Sequence, residues 1–291
     1  MANQRSKQDH PKPTAPARRS RALDPQSAAD DAEGGAGADR EAHLESLAKG
    51  LRCLTLFDAE RSAMTIQDAA TELDITRPAA RRILLTLNRL GYLQQVEREF
   101  ILTPKVLELG FKYFSALGLR GAALPYLEMV TARTGETCAL GVLDGEDIVF
   151  LHRAEAKKTM RLDLTVGSRL PAYAHSMGRL LLAALDDDKL DAYLEHLKPQ
   201  SFTRFTITDR KKLRAEIELI RKQGWSFANG ELMDGIAGIS RPIVDANGRV
   251  IAGINVSMIL GSRSPQEALQ AMLPPLTEAS EAISRIQQSI R

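Results

Sequence analysis

The stretch from Asp74 to Leu93 constrains the fold more than any other part of the chain. Thr76 is placed to cap a helix, and Pro78 falls in its first turn, where a missing N–H costs nothing. Ile83, Leu84, Leu87 and Leu90 recur at helical spacing and make an apolar stripe. Gly91 suits the position just past a helix end. Arg77, Arg81, Arg82 and Arg89 carry positive charge, and no acid interrupts them between Asp74 and Glu97. A helix that is apolar behind and arginine-rich in front, with small Ala79 and Ala80 allowing close approach, suits a DNA major groove.

The neighbouring residues supply the usual companions of such a helix. Leu47, Leu51, Leu54 and Leu56 to Phe57 lie along one face of a first helix, Ser46 to about Ala59. Ser62-Ala63-Met64 reads as a loop. Thr65 then caps a second helix, Ile66 to Leu73, with Asp68 at the capping-box position. After Gly91-Tyr92, residues 93–96 and 100–102 alternate like two short strands around Glu97-Arg98-Glu99. Helix, helix, turn, arginine helix and hairpin is the order of a winged helix-turn-helix. In that reading Arg77, Arg81 and Arg82 reach phosphates and base edges, while Thr65 and Arg98, on the wing, hold the DNA backbone. A three-helix bundle with a hairpin and no DNA role has the same element order. The coincidence of the basic face with the recognition position favours DNA.

The chain has 291 residues, enough for about two domains at ~150 residues each. A net charge of +2 says little about nucleic acid, because a local patch matters more than the total. Residues 1–42 hold no Val, Ile or Phe and are rich in Ala, Pro, Ser, Gly and Asp. They cannot bury enough apolar surface to offset their ordering entropy, so a disordered tail is expected. Cys53 and Cys138 stand far apart, in no metal-like spacing, and read as free thiols in a reducing compartment. With no long apolar run and no signal-peptide core, a cytoplasmic protein is expected, without contact with a membrane.

The divisions expected are a winged helix-turn-helix over 43–104, a linker helix over 105–121 and a second domain over 122–291. Apolar residues on the linker helix could serve a contact between copies, or a plain core. In the second domain a helix from Pro125 to about Thr134, with Leu127, Val130 and Ala132 on its apolar face, ends at Gly135. Residues 137–143 and 147–153 form a hairpin across Asp144-Gly145. Met160 to Val166 reads as a third strand and Gly167 to Pro171 as a loop. Helices follow at Ser176–Leu185, Asp186–Leu197 and Arg210–Gln223. Strand-like Trp225 to Phe227 precedes a second hairpin, Ile236–Val244 and Val250–Ile259, around Asn247-Gly248. An amphipathic helix from Pro265 closes the chain. Antiparallel strands flanked by helices make an α+β domain of the sensor type.

No enzyme constellation emerges: there is no Gly-x-Ser-x-Gly elbow, phosphate-binding Gly-rich loop, His-Glu-x-x-His or Cys-x-x-Cys. The five histidines are scattered without metal spacing. No catalytic residue, metal or cofactor is therefore expected. The junction from Leu170 to Gly178 presents backbone N–H groups at a helix start, a ready site for a carboxylate, which Tyr173 and Met177 could line; a plain capped helix start reads equally well. Asn255 and Ser257 share one face of an otherwise apolar strand, so they need partners, either structural or from a ligand.

At this level the chain resembles the IclR family of bacterial transcription regulators. The resemblance is carried by residues 46–54, by Arg82 to Leu87 with Gly91-Tyr92-Leu93, and by Leu102 to Gly110. It continues through Val166 to Ala172, Gly178 to Ala183, Gly230-Glu231, Gly235-Ile236, Ile239 and Pro242-Ile243. The stretch Leu170 to Ala183 is similar to the aromatic-acid branch, the beta-ketoadipate and hydroxybenzoate pathway regulators. The resemblance implies a winged helix-turn-helix, a linker helix and a GAF-like effector domain. It also implies dimers or tetramers on a palindromic operator, and a small carboxylate effector controlling a catabolic operon. Carried over, the pocket comprises Ser176 and Met177, apolar walls at Leu162 and Leu170, and Asn255 and Ser257. Members that bind short oxo-acids hold an aspartate and a cysteine where this chain has Ala228 and Gly238. That departure argues against glyoxylate and leaves volume for an aromatic ring, set against Leu162, Leu170 and Ile236. Arg161, His175 and Arg179 are the candidate carboxylate partners, with Arg161 pointed away by strand alternation. Two other classes stay open: an enzyme built on the second domain, and a DNA-binding protein without a ligand.

Overall fold

The computed structural model describes residues 44–58, 60–116, 118–119, 121–157, 164–261 and 263–289. The tail expected over 1–42 lies outside the described residues. The chain divides into two compact units, the first ending at Lys112 and the second beginning at Tyr113.

In the first unit, α1 (Glu45–Leu54), β1 (Ala63–Thr65), α2 (Ile66–Glu72) and α3 (Arg77–Arg89) precede β2 (Leu93–Val96) and β3 (Glu99–Leu102), and α4 (Leu107–Ala116) follows β3 in the chain. Ala80, Leu84 and Leu87 of α3 pack with Cys53, Met64, Leu73, Leu93 and Phe100. The residues read as a loop, Ser62-Ala63-Met64, enter a strand instead. Met64 is fully buried opposite Phe100, and β1 pairs antiparallel with β3 to give the sheet order β1-β3-β2. Leu90 lies off the buried stripe, 52% exposed. The α1 face of Leu47 and Leu51 is likewise exposed, at 59% and 54%; only Cys53 of that helix is buried. The helix stops at Leu54 rather than near Ala59.

Thr65 caps α2 as the spacing predicts. Its hydroxyl accepts from the Asp68 N–H at 3.3 Å, and Asp68 Oδ2 accepts the Thr65 N–H at 2.8 Å. The Thr65 N–H and the Thr65 hydroxyl, which donates to Asp68 Oδ2 at 2.7 Å, hold the Asp68 carboxyl below its ordinary pKa. Thr65→Ala is expected to cost about 1 kcal/mol. A thermal melt unchanged from wild type would show that the cap carries no stability.

The second unit is a three-layer α+β sandwich. α5 (Leu124–Thr134) ends at left-handed Gly135 and leads into a six-stranded antiparallel sheet of order β6-β5-β4-β9-β8-β7. Its strands are β4 (Thr137–Asp144), β5 (Asp147–Ala154), β6 (Arg169–Pro171), β7 (Ser226–Asn229), β8 (Ile236–Val244) and β9 (Val250–Ile259). The Asn247-Gly248 turn forms where expected, with the Asp245 carboxylate accepting from the Asn247 and Arg249 N–H groups. Alternation divides the sheet's side chains. Cys138, Leu140, Ile239, Ile254 and Val256 pack with residues of α5 and of α9 (Pro265–Ser289) on the outer face. Ala139, Ile148 and Phe150 pack on the inner face with α6 (Ser176–Ala183), α7 (Asp187–His196) and α8 (Arg210–Gln223).

Three local elements differ from the sequence expectation. Ala132 is exposed, because the buried positions of α5 are Leu127 and Val130. The strand expected over Met160–Val166 falls partly outside the described residues, and 164–166 are not extended into the sheet. The edge strand beside β5 is β6, within the stretch read as a loop: Leu170 pairs with Ile148 and Pro171 with Asp147.

Candidate functional site

The first unit presents the basic face. Arg81, Arg82 and Arg98 are exposed, Arg98 in the turn after Glu97, whose φ is 53°. Arg77 is exposed too, but its Nε donates to Gln67 Oε1. Ala79 is half-buried at the front of α3. Ala80 is not on that front: it is fully buried against the core, one helical turn from Leu84, so it sets the packing of α3 rather than its approach to DNA. Thr65 is occupied by its cap.

The second unit concentrates polar groups on the inner sheet face. Register aligns Arg153, Ala139, Asn255, Ser240 and Ser226 in one row across five strands, and Thr137, Ser257, Gly238 and Ala228 in a row beside it. Asn255 is fully buried and saturated. Its Nδ2 lies 2.9 Å from Ser176 Oγ and 3.1 Å from both Ser240 Oγ and the Ile239 carbonyl, and its Oδ1 accepts from Ser257 Oγ at 2.7 Å. Of the two partnerships open to Asn255, the structure makes the structural one. Ser257 is half-buried at the margin of this network.

α6 sits directly on this face. Met177 rests against Gly141 and Gly253, where an added Cβ would come within 2.7 Å of its side chain. An added Cβ on Gly238 would fall 2.6 Å from Ser176 Oγ. The volume expected beside Gly238 is therefore filled by Ser176 and Asn255. The open helix start is likewise taken: His175 caps α6, its Nδ1 accepting the Met177 N–H at 3.1 Å. That bond leaves the proton of a neutral ring on Nε2. Burial, with the positive charges of Arg153 and Arg179 adding to it, pushes the His175 pKa down to about 4.

The other expected residues separate. Tyr173 is buried with its hydroxyl bonded to the Gln200 carbonyl and N–H, and its ring stacked on Phe202. Leu170 packs on the inner cluster, and Ile236 is half-buried two positions from Gly238 on the same face. Leu162 and Arg161 lie outside the described residues. Arg179 is unavailable as a carboxylate partner. It is 1% exposed, and its guanidinium forks onto both oxygens of Glu231.

Sequence reasoning missed Arg153 and Phe150. Between Leu140 and Gly141 the β4–β5 register shifts: Leu140 faces His152 and Gly141 faces Phe150. This bulge leaves Leu151 over the outer cluster and turns Arg153 onto the inner face with Phe150. The Arg153 guanidinium stands 5.3 Å from the Phe150 ring centroid, and the His175 ring meets the same phenyl edge-on at 6.0 Å. Simple alternation from Ile148 would have put Phe150 and Arg153 on opposite faces.

Among the described residues, no helix is long and apolar enough to cross a membrane. Two family profiles match the chain: the IclR helix-turn-helix domain over residues 46–97, and the C-terminal domain of bacterial IclR transcriptional regulators over residues 111–285. The Pca regulon regulatory protein of Pseudomonas putida is 40% identical over 238 residues, covering 81% of this chain and 82% of that one. The p-hydroxybenzoate hydroxylase transcriptional activator of Acinetobacter baylyi is 30% identical, over 84% and 93%. An IclR homologue of Microbacterium hydrocarbonoxydans, solved in complex with 4-hydroxybenzoate, superimposes with a TM-score of 0.75 at 27% identity, over 84% and 99%. The chain belongs to the IclR family of bacterial transcription regulators. The matched helix-turn-helix domain, residues 46–97, lies within its first unit.

Proposed function

We propose that this regulator senses a small aromatic carboxylate on the inner face of its second unit and controls a catabolic operon in response. The carrying observation is what that face gathers: the buried Phe150 ring, an uncharged imidazole at His175 against its edge, and a hydrogen-bonded polar network of Ser176, Ser240 and Asn255 that reaches half-buried Ser257. Such a surface suits a flat ring with polar substituents at its ends. The similarity to the p-hydroxybenzoate hydroxylase activator and to a homologue holding 4-hydroxybenzoate supports the same choice. In this reading Ser176 and Met177 form the floor, with His175, Ser257, Leu170 and Ile236 at the ligand; Leu162 joins them by the family resemblance. Asn255 and Tyr173 act behind them by holding Ser176 and the α6 start in place. A thermal-shift panel tests it: hydroxybenzoate-type acids raise the melting temperature and glyoxylate does not. The reverse pattern overturns the aromatic assignment.

The DNA-binding reading assigns Arg81 and Arg82 to bases and phosphates, Arg98 to the flanking backbone, and Arg77 to phosphate through a side chain steadied by Gln67. Residues 43–104 form the DNA-binding domain, 105–121 the linker and 122–291 the effector domain. Two or four copies meet a palindromic operator in the cytoplasm. Effector binding biases one arrangement of the DNA domains only by its affinity difference between arrangements. Arg82→Ala is expected to weaken operator binding by about 1–3 kcal/mol with loss of site preference if Arg82 reads a base, or to weaken all sequences alike if it holds phosphate. A gel-shift titration that shows no loss on any promoter DNA removes both roles.

A further inference from the structure

We propose that Arg153 is the anchor for the effector's carboxylate, with the His175 Nε2–H as a second donor beside it. The inference rests on the aromatic-carboxylate reading and adds what holds the charge.

The Arg153 side chain is half-buried on the inner face, over Phe150, and its Nε is shielded from solvent. Among the described residues that nitrogen has no hydrogen-bond partner, and no carboxylate pairs with the guanidinium. Burial accordingly pulls its pKa down, opposed only by the field of Glu155. A cation drawn out of water without a counter-ion is costly, and chains keep such groups where a partner arrives from outside. The other inner-face cation, Arg179, shows the contrast: it carries its own carboxylate in Glu231. His175 adds no charge, because its ring is neutral, yet its remaining N–H is free to donate. The arrangement supplies a planar fork that matches a carboxylate, an imidazole at His175 packed on the buried Phe150 ring, and a half-buried hydroxyl at Ser257 on the same face.

The probes are 4-hydroxybenzoate and its neutral isostere 4-hydroxybenzamide, with acetate and pyruvate as small carboxylates, titrated against the full chain by calorimetry and thermal shift. Arg153→Met is expected to lose at least tenfold in 4-hydroxybenzoate affinity, while its affinity for the amide stays within about threefold of wild type. Arg153→Lys recovers part of the acid binding. Without ligand, Arg153→Met melts at or above the wild-type temperature, since it removes an uncompensated cation. Should the methionine variant fail to fold, Arg153→Gln is read by the same acid-to-amide ratio. Acid and amide lost together, or acid binding retained within twofold, overturns the anchor. If wild type responds to acetate or pyruvate but to no aromatic acid, and Arg153→Met abolishes that response, the anchor stands and the aromatic reading falls. If wild type responds to no carboxylate, both fall.

Discussion

Glu231→Gln is expected to destabilise the second unit by about 3–5 kcal/mol, although it changes one atom and preserves volume. The reason lies in what the carboxylate holds. Arg179 projects from α6 into the inner layer and is 1% exposed. Its Nε donates to the Tyr173 carbonyl at 2.7 Å, and both terminal nitrogens bond Glu231, Nη1 at 2.6 Å. The same carboxylate accepts the Ile207 N–H at 3.2 Å, and the Glu231 carbonyl accepts the Thr206 hydroxyl. One acid thus ties α6, the 200–207 segment and the β7–β8 loop together. Glutamine keeps a single acceptor oxygen, turns an NH2 toward the guanidinium and leaves a full positive charge buried. The double variant Arg179→Met/Glu231→Leu is expected to regain most of the loss, because neither charge then has to leave water. Urea unfolding followed by circular dichroism reads both, with the slope checked for unchanged cooperativity. A single variant within 1 kcal/mol of wild type would mean the pair is solvated in solution and not the tie described.

Much of this architecture is legible in local chemistry. Thr65 with Asp68, Gly135, Gly224 and Asn247-Gly248 each mark a boundary that the structure places there, since caps and turns depend on neighbours within a few residues. The misreadings share one cause: they depend on partners distant in sequence. Nothing within Ser62-Ala63-Met64 reveals that β3 lies opposite it. Ala80 reads as a small residue on a basic face until the position of the α3 axis sends it inward. The β6 edge exists because β5 offers it a ladder, not because Arg169-Leu170-Pro171 favours extension. The β5 bulge is the most consequential case. One extra residue reverses the alternation after Phe150, so that Arg153 joins the face where a ligand is proposed. Asn255 is a different case: its need for partners is visible in the sequence, and the fold supplies them in Ser176, Ser240 and Ser257.

Gly178→Ala is expected to cost on the order of 3 kcal/mol or more, where an alanine in a helix ordinarily helps. The short helical turn Ala172–Ala174 folds back on the first turn of α6, and an added Cβ at Gly178 would fall on the Ala172 backbone, within 2.5 Å of its carbonyl carbon. A backbone atom cannot swing aside as a side-chain end can. The turn is held as well, since Ala172 donates to the Glu146 carbonyl at 2.9 Å and the Tyr173 hydroxyl is fixed at Gln200. Relief must come from α6 lifting off the sheet. That movement would pull Met177 from the Gly141–Gly253 floor and part Ser176 from Ser240 and Asn255. Stability and effector response should therefore fall together, while the operator binding proposed for the first unit is retained. Gly50→Ala in α1 is the control: among the described residues, nothing outside its own stretch of helix backbone lies within 4 Å of its added Cβ, so it is expected to be neutral or to gain up to about 1 kcal/mol. Thermal melts of the two variants, with a ligand titration and a gel shift on each, make the comparison. A Gly178→Ala protein that melts and responds like wild type would show that α6 does not approach the Ala172 turn this closely in solution.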